Sequence, residues 1–444
     1  MRNAMQELSG WGRVPVVPGL EYAPEDLERG SEGAALSRGL GRSYGDASLP
    51  AAPGGSVLST RRADRILRFD PESGRLRAEA GLSLREINQL FPQRGWASPT
   101  QPGTQYITLG GMCASDVHGK NHHVAGTFGE HVRALRMRVP DGRILEVDDQ
   151  SEPELFRATL GGMGLTGHIL EVEVQLERIP SPWIWGETRG VRNLDELVEK
   201  IQSESRRWPF TMAWADSTAR GSAMGRGILT VGRYAEPDEA PAQPPVMRER
   251  IAVPFDLPSW IVAPWSIRIF NPLFYHLRRR QSRAGIVHPQ PFFYPLDAIR
   301  HWNRLYGRRG FAQYQCVLPL ERDGLAYRRF FDVLTSLGGA TPVTVIKDCG
   351  AEGRGVISFP KPGISIALDL PFRPGHTQAL VDALNRVVIE AGGRIYLTKD
   401  ALTRPEDLRR MESRLDAFLE IRRKWDPEGR IRSAQSVRLL GDEA

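Results

Sequence analysis

Three histidines, a lysine and an asparagine crowd into HGKNHH, residues 118–123, within a stretch from Gly103 to Gly129 that reads GTQYITLGGMCASDVHGKNHHVAGTFG. Imidazoles at that density can bind a metal, contact a bound ligand or serve in plain hydrogen bonding. A metal is the poorest of these readings, because His122 and His123 are adjacent and no nearby Asp, Glu or Cys completes a convincing ligand set. The glycines around them point to ligand contact, since Gly, Ala and Ser leave main-chain N–H groups uncovered. Upstream lies the first glycine run of the chain, RGLGRSYGD, from Arg38 to Asp46; the stretch above is the second, and a third, GGMGLTG, spans 161–167. The first two are separated by strand-like sequence, as expected of a large phosphate-bearing cofactor gripped from two sides. Gly39-Leu40-Gly41 offers the start of a dinucleotide fingerprint, but the third glycine, Gly45, comes one place late and no acidic residue follows at a strand end. His118-Gly119-Lys120-Asn121 lacks the Gly-Lys-Ser/Thr of a P-loop. Tight turns alone account for many single glycines, but poorly for three runs in one domain.

Elements that could position these runs are legible around them. Ser83 can cap a helix with Leu84, Ile87, Leu90 and Phe91 at helical spacing, ending before Gly95. Leu135, Met137 and Val139 alternate up to the turn Asp141-Gly142, and Ile144 to Val147 returns as the second arm of a hairpin. The third glycine run leads into an alternating strand from Ile169 to Leu176, and IPSPW at 179–183 reads as a boundary. Beyond it, a helix starts after Asn193, strands are expected at 227–232, 313–319 and 364–370, and helices near 325–337 and 378–391. The proline-rich EPDEAPAQPPV at 236–246 is expected to be a mobile surface loop. A single long helix is expected from Pro405 to about Lys424, with Leu408, Met411, Leu415 and Phe418 on one stripe.

Composition bounds the rest. With 444 residues, 41% apolar and 25% charged, the chain is an ordinary globular protein long enough for two domains. Lys and Arg exceed Asp and Glu, 59 against 53, mostly through arginine, which suits bidentate phosphate recognition. No basic run interleaved with aromatics, zinc pattern or helix-turn-helix supports nucleic-acid binding. Cys113, Cys316 and Cys349 are too scattered for a disulfide framework, which fits a reducing compartment. MRNAMQELSGWGRVPVV lacks a signal-peptide core, and no apolar run is long enough to span a membrane, so a cytoplasmic or peripheral-membrane protein is expected. Residues 251–283 combine Trp260, Trp265, Phe270 and Phe274 with Arg278, Arg279 and Arg280. Such a segment can meet anionic lipid, or form a buried arm with a charged end.

Taken together, RGLGRSYGD, Pro102-Gly103-Thr104, Thr108 to Gly111 (TLGG), HGKNHH, Gly126 to Gly129 (GTFG) and GGMGLTG resemble the FAD-binding domain of the vanillyl-alcohol-oxidase/PCMH superfamily. Within it the chain is similar to the decaprenylphosphoryl-β-D-ribose oxidase family. That likeness continues through PLDAIRHWNRLYG (295–307), GFAQYQCVLP (310–319), SFPKPGISIALDLP (358–371), GGRIYLTKDA (392–401) and RRKWDP (422–427), and is weakest over 184–290.

The resemblance implies FAD, whose pyrophosphate would be met by main-chain N–H groups of residues 38–48 and 108–111. Its cofactor positions correspond here to Arg38, Gly39, Leu40, Gly41, Arg42, Ser43, Tyr44, Gly45, Asp46, Gly103, Thr108, Leu109, Gly110, Gly111, Ser115, His118, Gly119, Lys120, Asn121 and Gly129. Ile169 would lie near the adenine end and Tyr396 beside the flavin. Arg42 stands where many superfamily members attach flavin through a histidine, so the FAD is expected to be non-covalent. Lys399, in YLTKD, matches the family lysine that touches flavin and substrate, and with His118 forms the catalytic expectation. Lys120, Gln313, Gln315, Lys347, Ser365 and Phe293 fall on substrate-pocket positions. Ala367, Phe293 and Ser365 replace a family cysteine, tyrosine and asparagine respectively. These departures put substrate identity first in question.

The fold expected is α+β: a PCMH-type FAD-binding domain over 1–180, an antiparallel-sheet substrate domain over 181–398, and a segment, 399–444, returning to the FAD domain. The activity implied is oxidation of the 2′-hydroxyl of a polyprenylphosphoryl-β-D-ribose, with a short-chain reductase completing an epimerisation. A soluble sugar-alcohol or aldonolactone oxidase shares the FAD domain, and a non-catalytic FAD-fold protein is the alternative of another class.

Overall fold

Alternating and helical periods resolve into three main sheets and the helices that cover them, in a computed structural model describing residues 4–246, 251–320 and 324–444. Residues 1–3, at the start of the expected first domain, and 247–250 and 321–323, inside the second, lie outside the described residues. The first sheet is mixed: Gln6–Ser9 pairs antiparallel with Val16–Tyr22, which runs parallel to Ser56–Ser59, itself parallel to Ser37–Arg38. The second is antiparallel, in the order Ile66–Phe69, Arg75–Glu79, His168–Gln175, Val132–Arg138, Ile144–Val147. Its outer hairpin turns at Asp141-Gly142, where Gly142 has φ 96°, a conformation costly to residues with a Cβ. The helix Leu84–Leu90 starts with the full capping box of Ser83 and Glu86.

The third sheet holds eight antiparallel strands, in the order Ala284–Val287, Ile184–Val191, Gly227–Tyr234, Phe210–Ala215, Thr344–Cys349, Gly363–Pro371, Phe311–Leu318, Arg394–Ile395. One face packs against the helices Leu194–Ser205, Leu325–Ser336 and His376–Glu390, which bury Leu197, Phe330, Phe331, Leu334, Leu380 and Leu384. The other face is turned toward the glycine runs. An α+β architecture with antiparallel sheets is therefore what the chain adopts.

One element differs from expectation. The helix expected from Pro405 to about Lys424 is two helices, Pro405–Met411 and Leu415–Trp425. The break falls where Arg414 donates to the Ser358 carbonyl and grips Glu412, while Glu412 also faces Arg394 at 3.6 Å. Glu412 and Arg394 are buried, so leaving either charge without its partner would be costly. The segment 251–283 contains a 17-residue helix, Pro264–Arg280, laid on the strands Ile184–Val191 and Gly227–Tyr234. The C-terminal helices close on the first half of the chain, where Leu408, Leu415, Phe418 and Leu439 pack with Ala47, Ala158, Met163 and Leu165.

Candidate active site

Strand alternation builds the floor of the site. Tyr314, Cys316 and Leu318 point into the helix-covered core, which puts Gln313 and Gln315 on the opposite face. Ile364, Ile366, Leu368 and Leu370 do the same on the neighbouring strand, leaving Ser365, Ala367 and Asp369 beside the glutamines. Register pairs Gln313 with Asp369, Gln315 with Ala367, and Ser365 with Lys347 one strand further on. Gln315 donates to the Ser365 hydroxyl at 2.9 Å, and Gln313 donates to Asp369. The floor is thus a connected polar surface on a sheet whose other side is apolar.

Lys399 enters from the wall. Arg394–Ile395 pairs with the end of Phe311–Leu318, the Tyr396 N–H donates to the Gln315 carbonyl at 2.9 Å, and the short turn Leu397–Lys399 swings the lysine back over the first glycine run. Its ammonium sits 4.1 Å from the centre of the Tyr44 ring. Burial lowers the Lys399 ammonium from its ordinary range, opposed by the charge of Asp369 and reinforced by that of Lys347. Asp369 moves the other way, raised by desolvation. Each opposes the shift that burial imposes on the other, which is how a cation and an anion persist together in a poorly hydrated cleft.

His118 and Lys120 stand opposite. The Gln315 amide donates to His118 Nε2 at 2.8 Å, which places the ring proton on Nδ1. That Nδ1 is buried with no partner among the described residues. Burial, then the charges of Lys347, His122 and Lys399, holds the imidazole neutral, well below its ordinary range. His118 is set to donate a hydrogen bond to a ligand rather than to take a proton there. Lys120 is buried, and its ammonium donates to the carbonyls of Pro102 (2.9 Å) and Phe293. Burial comes first among the causes that push its proton affinity down. The other two histidines serve packing: His122 Nδ1 accepts from the Gly350 N–H at 3.0 Å, and His123 bonds the Trp208 carbonyl at 2.9 Å.

The glycine runs supply the remaining cradle. Among the described residues, the N–H groups of Gly39, Leu40 and Gly41 meet no main-chain carbonyl, leaving consecutive donors for an anion. At the second run the donors are committed: Leu109 N–H to Leu82, Gly110 N–H to Ala80, and Gly111 N–H to the Thr108 hydroxyl. Residues 108–111 therefore offer close main-chain approach rather than the free donors expected of them. The orphaned Nδ1 of His118 and the open donors at 39–41 fit a dinucleotide with a polar ring system.

Other expected positions have evident local duties. Arg38 clamps Ser48 and the Ser9 carbonyl (2.7 Å). Ser43 bonds Ser48, and Gly45 lies so flat on the Asp400 carbonyl that a Cβ would come within 1.8 Å. Asp46 is salt-bridged to Arg438. Arg42 stacks between Trp11 (3.8 Å) and Tyr106 (4.9 Å). Tyr396 packs on His118 and donates to the Ser115 carbonyl at 2.8 Å. Asn121 donates to Pro99, and the Gly129 N–H to Asp116. Ile169 is buried opposite Met137. Phe293 puts its ring into the aromatic group of Phe210, Phe292 and Tyr234, bordering a cavity of about 170 Å³.

Sequence reading passed over Asp369, although Ser365, Ala367 and Asp369 share a face by strict alternation. It also passed over Asp297, which accepts from Thr104 and Gln105 and ties PLD to the Gly103 turn. Arg438 carried no signal, lying 392 residues from Asp46.

Residues 31–148 match the family described as an FAD binding domain. The chain is 31% identical to the decaprenylphosphoryl-beta-D-ribose oxidase of Mycolicibacterium smegmatis, over 98% of this chain and 97% of that one. An uncharacterised Streptomyces coelicolor protein is 32% identical over 81% of this chain and its own full length. L-gulonolactone oxidase of Bos taurus is 27% identical over 44% of this chain and 46% of its own. A donor-lined cradle facing a polar sheet, in a chain with these relatives, defines an FAD-dependent oxidoreductase. The chain belongs to the decaprenylphosphoryl-β-D-ribose oxidase family.

Proposed function

We propose that this protein oxidises the 2′-hydroxyl of a polyprenylphosphoryl-β-D-ribose to the 2′-keto sugar, the first half of an epimerisation toward the arabinose form used in cell-wall glycan synthesis. The observation that carries the proposal is the cleft itself. Lys347 and Lys399 face a floor of Gln313, Gln315 and Ser365, a surface suited to sugar hydroxyls next to a phosphate. FAD supplies the hydride acceptor. Gln315 and Ser365 orient hydroxyls, His118 Nδ1 donates a hydrogen bond, and Lys399, whose ammonium form Asp369 favours against burial, counters negative charge as the alcohol is oxidised. Arg42, a stacked guanidinium with no nucleophilic nitrogen, is consistent with non-covalent FAD. A short-chain reductase would consume the keto product.

Anaerobic mixing with farnesylphosphoryl ribose is expected to bleach the yellow flavin. A soluble sugar-alcohol oxidase, favoured by the gulonolactone oxidase likeness, would instead bleach with free sugars and release hydrogen peroxide briskly in air.

We also infer that the segment 251–283 brings the protein to its lipid-linked substrate. The helix Pro264–Arg280 buries Ile267, Asn271 and Tyr275 against the sheet but leaves Trp265, Ile269 and Leu273 more than half exposed, at 55%, 63% and 56%. Arg278, Arg279 and Arg280 are exposed at its end. Among the described residues no helix is long and apolar enough to cross a membrane, so this contact would lie in the interface. Vesicles rich in phosphatidylglycerol should be bound, and replacing the three arginines by glutamine should weaken binding by about tenfold or more, each basic group near the surface contributing about 1 kcal/mol. Equal binding to neutral vesicles would contradict the role of charge.

A further inference from the structure

The helix Ala434–Leu440 reaches the site without lining it. From it, Arg438 Nε and Nη2 donate to the two oxygens of Asp46, each at 2.8 Å, Nη2 also to Asp400 at 2.8 Å, and Nη1 to the Thr403 carbonyl at 2.6 Å. One turn earlier Gln435 donates to the Leu397 carbonyl at 2.8 Å. Asp46 ends the first glycine run and Asp400 directly follows Lys399. One guanidinium therefore joins the loop that carries the lysine to the loop over which the lysine lies.

The joint is tight. The Tyr44 N–H donates to Thr398 at 3.0 Å, Gly45 rests on the Asp400 carbonyl, and both carboxylates are buried. Without a cation between them, two buried carboxylates repel, and the least costly relief is separation of the two loops. That movement would carry the Lys399 ammonium away from Tyr44 and Asp369.

We propose that Arg438 is the positioning residue for Lys399, holding it in register with the first glycine run through the shared contact with Asp46 and Asp400. The inference rests on the reading that Lys399 serves the oxidation. In R438A holoenzyme, kcat per bound flavin should fall on the order of 10²-fold, the scale of an ångström-level misplacement, while KM changes little. Millimolar guanidinium chloride, but not potassium chloride, should recover a substantial part of kcat by occupying the same place. In the apoprotein, trypsin should cut after Lys399 faster in R438A than in the parent, reporting the loop independently of turnover. If R438A does not fold, R438K keeps the charge but loses the forked geometry, and a kcat loss at constant KM is expected there too. Unchanged kcat, or a loss that follows FAD content alone and ignores guanidinium, overturns the proposal. Full activity in K399A would sink the reading of the lysine; an inactive K399A beside a fully active R438A would sink only the role of Arg438.

Discussion

Replacing Lys399 with alanine should leave FAD bound and slow anaerobic bleaching by farnesylphosphoryl ribose by about 10²–10³-fold, the scale of losing one preorganised electrostatic group. The cofactor should stay because the donors at Gly39 to Gly41 and the His118 loop do not involve this side chain. Lys399 faces both the Gln313 floor and Tyr44; burial pulls its ammonium down to about 7, and the charge of Asp369 opposes that fall. A second arm of the same experiment follows from the sign of that coupling. Burial lowers the proton affinity of Lys399 and Asp369 raises it, so D369N should lower it further. If the cation is the active form, the alkaline decline of flavin reduction should begin lower in D369N, by about one pH unit for loss of a neighbouring opposite charge. An alkaline limb that stays put, or a K399A enzyme that bleaches at the parental rate, would remove this pair from the chemistry.

Replacing Gly45 with alanine should be nearly as damaging, by a different route. Its added methyl would meet the Asp400 carbonyl oxygen at 1.8 Å and the Ala401 Cα at 3.0 Å, main-chain atoms that cannot rotate aside. Overpacking of this kind typically costs about 1–3 kcal/mol, and here the strain falls on the contact between the two functional loops. G45A should therefore purify largely without flavin, with weaker FAD binding and a lowered melting temperature. G103A, where a Cβ meets nothing within 4 Å, should leave the apoprotein's melting temperature unchanged. A G45A protein that is fully yellow and fully active would show that the loops need not touch.

Much of the scaffold was legible because its signals are local. Ser83, Asp141-Gly142 and Asn193 each mark a boundary through chemistry within a few residues, and helix or hairpin follows there. Gln313 and Gln315 were visible as one face of a strand by the same logic. Legibility fails where distant partners decide. The helix break at Glu412 to Arg414 is dictated by Glu352, Ser358 and Arg394, and nothing within the helical stripe announces it. Pro264–Arg280 was obscured because apolar residues lie both on the face against the sheet and on the exposed one, which blurs the 3.6-residue period. Asp369 had the right spacing but acquires its meaning from Lys399, thirty residues on in the sequence and on another element.

The position of Arg438 also bears on biosynthesis. Asp46 and Arg438 lie 392 residues apart, so the joint between the two loops can form only after residues 434–440 have left the ribosome. Glycines 39–41 emerge long before that, so the fastening of Lys399 is a later event in synthesis than the appearance of the anion-binding loop. Polypeptides halted between the two would carry the loop but not the fastened lysine.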